Sequence, residues 1–78
     1  MIRKGDLYQG QLNNEPVLIQ VERTYDKPDI DPNCPESVAI IGMVEGLIMS
    51  GSGIGKMLRF QRRSFRHRFS KVEVTNGH

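Results

Sequence analysis

Between Lys56 and Lys71 the chain reads KMLRFQRRSFRHRFSK, placing seven cations, Lys56, Arg59, Arg62, Arg63, Arg66, Arg68 and Lys71, among three phenylalanines and no carboxylate. A guanidinium binds phosphate or carboxylate through a planar fork of donors, and aromatic rings set between arginines are able to stack on exposed bases. The chemistry on offer is therefore the capture of anionic groups. Four cations and eight acids precede this segment and only Glu73 follows it, so net charges of −4, +7 and −1 underlie the formal +2. Because local charge density governs encounter and counterion release, such segregation points to an acidic partner. Nucleic-acid backbone is the first expectation and an acidic protein surface the second, set against the plainer reading of a solvated face. With five aromatics and no tryptophan in the chain, Phe65 and Phe69 are needed inside. Binding would then be mainly ionic, and such contacts position a nucleic acid without reading its sequence.

Other constellations fall short of the chemistry they suggest. Gly51–Lys56 (GSGIGK) has glycines and a lysine as in a phosphate-cradling loop, but Ser50 and Met57 occupy the positions where the first glycine and the magnesium-binding hydroxyl belong. What survives is an anion nest of the Gly51, Gly53 and Gly55 amides beside Lys56, or simply a hairpin tip. Asp29, Asp31 and Asn33 have calcium-loop spacing, yet Cys34 stands where glycine is required and Ile40 where the bidentate glutamate belongs. Cys34, His67 and His78 are too scattered for zinc, and His67 reads as a surface histidine. No nucleophile is paired with a base at a recognisable spacing. The expectation is a protein that is not an enzyme and uses no cofactor and no metal.

The elements that must position the arginines read as short strands. Gly5–Gln9 is a candidate first strand, and Asn13–Asn14 supply a turn. Pro16–Tyr25 alternates, with Val17, Ile19, Val21 and Arg23 on one side and Leu18, Gln20 and Glu22 on the other. Asp26–Glu36 holds three of the four prolines and four acids, which predicts an exposed loop. Ser37–Val44 is a near-continuous apolar run and predicts a buried strand, with Gly42 marking a bulge or a close backbone approach. Glu45–Gly55 carries four glycines and predicts a hairpin tip or contact loop. The basic segment fits either strand or helix over residues 57–68. The reading adopted is strand from Met57 to Arg62, one helical turn from Ser64 to Arg68 with Ser64 as N-cap, and a last strand from Ser70 to Thr75, with Asn76–His78 fraying.

Seventy-eight residues make a single domain, residues 1–78, near the size at which one core is only just sufficient. One cysteine cannot form an internal disulfide, and no apolar run reaches the length of a membrane span, so a cytoplasmic protein with no membrane partner is expected. The predicted class is all-β, a small five-stranded barrel with one short helical turn before the last strand. This element order resembles the SH3-like small barrel, the architecture of Tudor and KOW modules. Ile2–Tyr8 (IRKGDLY) followed by Pro16–Ile19 (PVLI) resembles the opening of plasmid-maintenance endoribonuclease toxins, which are themselves SH3-like barrels. That family's pattern has arginine before the proline, where this chain has Glu15. The resemblance implies the barrel and its first two strands, and it adds endoribonuclease activity as a third reading. The first remains nucleic-acid binding; the second is a small phage- or plasmid-type accessory or inhibitor protein that docks on an acidic protein surface and forms a homodimer by edge-strand pairing.

Overall fold

Asn13 and Asn14 both take positive φ, 52° and 65°, the pair of left-handed residues that a two-residue hairpin turn requires and asparagine tolerates. The turn joins strand β1 (Leu7–Leu12) to β2 (Glu15–Ile30); β3 (Val38–Gly51), β4 (Met57–Gln61), helix α1 (Arg62–Arg68) and β5 (Phe69–Lys71) follow. These elements come from a computed structural model that describes residues 1–73. Val74 and Thr75, assigned from sequence to the last strand, and Asn76–His78 lie outside the described residues. The strands form one antiparallel sheet in the order β4-β3-β2-β1-β5, so the all-β class with a short helix before the last strand holds. Among the described residues no pairing joins β4 to β5. The sheet nevertheless curls until its two ends approach, because Phe60 on β4 and Phe69 at the start of β5 have ring centroids 5.4 Å apart.

The core lies inside that curl. Val17, Ile19 and Val21 of β2 are buried as their alternation predicts, together with Ile2, Tyr8, Val44, Ile48, Phe65 and Phe69. Phe65 is fully covered and meets Tyr8 at 4.8 Å and Phe69 at 5.0 Å. Aromatic pairs at such separations add to the burial energy of their area. Leu58 and Phe60 pack against this cluster from β4, as strand alternation requires.

Several boundaries differ from the sequence reading, each for a local reason. β1 begins at Leu7 because Gly5, at φ 92°, closes a turn in which the Asp6 N–H donates to the Arg3 carbonyl. The expected loop from Asp26 to Glu36 is strand as far as Ile30, so the turn is only residues 31–37. Pro28 is tolerated there because β1 pairs with β2 only through Gln20, which leaves this half of β2 at an edge. Within the turn, Asp31 Oδ1 accepts the Asn33 N–H at 2.9 Å, so this acid supports backbone geometry. Cys34 is exposed.

The expected buried run from Ser37 to Val44 is β3 from Val38 onward, but Val38 and Ile40 are 52% and 68% exposed. β2 and β3 together project as a two-stranded arm, and the molecule measures 53 × 28 × 19 Å. β3 also continues to Gly51, which reduces the expected glycine loop to a turn over residues 52–56 in which Gly53 and Gly55 take positive φ. A register shift between Val21 and Arg23 skips Glu22 and reverses the side-chain alternation. Arg23 consequently leaves the face of Val17, Ile19 and Val21 and stands opposite Glu45. α1 starts earlier than expected, with Gln61 as N-cap in place of Ser64 and no capping side chain.

Candidate anion-binding cleft between the helix and the arm

Each cation singled out from the sequence has a definite place. Lys56 sits in the turn before β4, its N–H donating to the Gly53 carbonyl at 3.0 Å. β4 separates it from α1 by about 20 Å at the usual strand rise. Arg59, on β4, places Nε 3.2 Å from Glu45 Oε2, while Glu45 Oε1 accepts from Arg23. Glu45 is half-buried, and covering it opposes its charge; the hydrogen bonds from Arg23 and Arg59 outweigh that and hold its carboxyl below the usual glutamate value. Lys71 Nζ lies 3.6 Å from Asp6 Oδ2. The Arg68 guanidinium lies over the rings of Phe60 and Phe69, at 5.9 and 5.7 Å from their centroids.

The remaining three converge. Arg62, Arg63 and Arg66, with His67, form one wall of a cleft of about 710 Å³ whose other wall is β3 from Ala39 to Gly42. Helical spacing brings Arg62, Arg63 and Arg66 to one side of α1, since residues three and four apart are neighbours on a helix surface. Gly42 leaves room for the Arg62 side chain: a Cβ at this position would lie 2.8 Å from the Arg62 guanidinium carbon. Neither expectation for this glycine is met: the register passes through it without a bulge, and what comes close is the Arg62 side chain and not another backbone. Arg62 Nη2 also reaches Asp26 Oδ1 at 3.5 Å, Asp26 being the cross-strand partner of Gly42. Among the described residues no carboxylate lines the cleft. A second depression of about 520 Å³, lined by Gln9, Gln11 and Ser50 among others, holds no charged side chain.

The structure thus groups Arg62, Arg63 and Arg66 and separates Lys56, Arg59, Arg68 and Lys71 from them. Sequence reasoning missed His67 as a wall residue and missed Ala39–Gly42 entirely. No sequence signal marked the second, because the same apolar run reads equally well as a strand buried along its whole length. Among the described residues no helix is long and apolar enough to cross a membrane. No protein-family model, curated protein or solved structure matches this chain.

Proposed function

We propose that the chain is a non-enzymatic binding module, built on an SH3-like sheet, that docks an acidic segment of another protein in the cleft between α1 and the arm. One observation carries this reading: among the described residues, three guanidinium groups and no carboxylate line the cleft, against a stretch of strand that no other strand covers. Arginine suits such a role because its fork matches a carboxylate and is weakly hydrated. Ile40 lines the cleft, and Val38 and Ile30 stand further along the arm as exposed apolar groups. A protein segment uses both parts of such a surface, whereas a phosphate backbone uses only the charge.

Nucleic-acid binding is the second reading, supported by the density of Arg62, Arg63, Arg66 and Arg68 within one seven-residue helix. Against it, Arg59, Arg62 and Lys71 each stand within 3.6 Å of a carboxylate, so fewer cations are available to phosphate than the sequence count suggests. Titrating the protein against a labelled, blocked peptide of alternating glutamate and valine, and separately against a duplex oligonucleotide, decides between them. The proposal expects peptide binding that R63E/R66E abolishes. Should only the oligonucleotide bind, with a log-log salt slope of about −0.9 per neutralised phosphate, the proposal fails and the nucleic-acid reading replaces it. Discrete cleavage of RNA by purified protein would instead favour an endoribonuclease.

A further inference from the structure

β4 pairs with β3 only from Met43 to Leu47, because the chain leaves the sheet after Gln61 and winds into α1. From Val38 to Gly42, β3 therefore has β2 on one side and, among the described residues, no strand on the other. The backbone groups that face this open side follow from parity. The Ile48 N–H donates to the Lys56 carbonyl and the Ile48 carbonyl accepts from the Gly55 N–H, both at 2.9 Å, so Ile48 faces the β4 side. The β3 register runs without a skip from Leu47 back to Val38. Every second residue, Gly46, Val44, Gly42 and Ile40, then faces the same way. The Met43–Gln61 pair that ends the ladder places the Gly42 carbonyl against the Arg62 N–H, so Ile40 presents both its N–H and its C=O, and Gly42 its N–H, to the open edge.

The opposite edge of the arm is built differently. Glu45 faces β2 by the same parity and is paired with Arg23, so Arg23, Tyr25, Lys27 and Asp29 face inward and Pro28 faces outward from β2. A proline at an outward position removes the donor that an added strand would need, which is how natural sheets close an edge. Its cross-strand partner is Ile40. One edge of the arm is thus blocked and the other, beside the arginines, is not. The cleft is lined by Ala39 and Ile41 as well as by Ile40 and Gly42. Their side chains leave opposite faces of the sheet, so the cleft runs beside the edge and not over one face.

We infer that the acidic segment enters as a strand: an extended peptide from a partner protein adds to β3 in line with β4, hydrogen-bonds to Gly42 and Ile40, and sets its carboxylates against Arg63 and Arg66. This rests on the acidic-segment reading above and adds to it a backbone register. In strand addition main-chain hydrogen bonds supply affinity and alternate side chains supply specificity. Four residues, Ala39–Gly42, span about 13 Å of strand, so the core of the recognised segment is short, with carboxylates at every second position. Charge selects the occupant: the edge alone would accept any extended chain, and the arginine wall favours an anionic one.

The test uses the full chain and the same blocked glutamate–valine peptide. Saturating peptide slows amide exchange at Gly42 and Ile40 by at least about tenfold and leaves Ala39 and Ile41, whose donors already face β2, unchanged. Ile40→Pro removes one outward donor and weakens binding about tenfold, while R63E/R66E abolishes it. Peptide binding that R63E/R66E abolishes, but that leaves exchange at Gly42 and Ile40 untouched and survives Ile40→Pro, overturns strand addition and leaves acidic docking standing. No peptide binding at all overturns both. A dimer in sedimentation equilibrium without peptide, dissolved by Ile40→Pro, assigns the edge to a second copy of the chain and also overturns the inference. The exchange measurement on the unaltered protein decides the matter even if the proline variant fails to fold.

Discussion

Arg62 reaches Asp26 at 3.5 Å by passing directly over Gly42, and so one side chain joins the helix to both strands of the arm. The Arg62 side chain is 33% exposed and that of Asp26 62% exposed. A pair so open to water contributes well under about 1 kcal/mol to stability. Its larger effect is on availability, because a guanidinium held by Asp26 is less free to meet a ligand. Asp26→Asn is expected to leave the thermal midpoint within a few degrees and to tighten binding of the glutamate–valine peptide about two- to fivefold. Weaker binding in this variant would mean that Asp26 orients Arg62 for the ligand and does not compete for it.

Gly42 and Gly46 are predicted to respond to very different degrees to the same methyl group. At Gly42 an added Cβ meets the end of the flexible Arg62 side chain, which swings aside, so Gly42→Ala costs under about 0.5 kcal/mol. At Gly46 it meets Cγ2 of Ile19, which is fully buried and β-branched. A β-branched side chain is stiff at χ1 and a fully buried one has neighbours on every side, and overpacking of this kind costs about 1–3 kcal/mol. Urea melts of the two variants side by side test this, and equal midpoints would refute it.

Phe65 carries the aromatic cluster. It is fully covered and stands within 5.4 Å, centroid to centroid, of Tyr8, Phe60 and Phe69, which come from three different strands. Phe65→Ala is expected to cost about 3–5 kcal/mol, a large part of the whole stability of a domain this small. Loss of cooperative thermal unfolding is the predicted readout. Phe65→Leu, which keeps most of the volume, should retain a cooperative transition at a lower temperature.

The parts of this fold that were legible in sequence are those where one local signal dominates. The alternation of Val17, Ile19 and Val21 announced a half-buried strand, the two asparagines announced a turn, and the scarcity of aromatics placed Phe65 and Phe69 inside. The arm was not legible, because Pro28 and four acids between Asp26 and Glu36 read as loop chemistry. A strand that pairs on one side only needs half of its donors, and proline fits the other half. The bulge at Glu22 left no compositional trace, yet it alone turns Arg23 toward Glu45. For the site, the charge count found the arginines, but their apportioning depends on Glu45 and Asp26, which lie 14 residues before Arg59 and 36 before Arg62. Spacing along the chain carries no information about such partners.

Glu45 gives the pH dependence its sign. It accepts from Arg23 and Arg59, and its carboxyl is held below the ordinary glutamate value even though partial burial works in the opposite direction. A group whose folded pKa is depressed contributes stability that is fully present above the unfolded value, about 4.3 for glutamate, and is lost as pH falls through the folded value. The protein should therefore lose stability through the acid range below about pH 4.3. Glu45→Gln should flatten that part of the profile while lowering stability at neutral pH, since both arginines lose a charged acceptor. Urea midpoints measured from neutral pH downward, for both proteins, test this. Parallel acid limbs would show that some other carboxylate governs the transition, and a Glu45 carboxyl that titrates by NMR at its unfolded value would remove the premise.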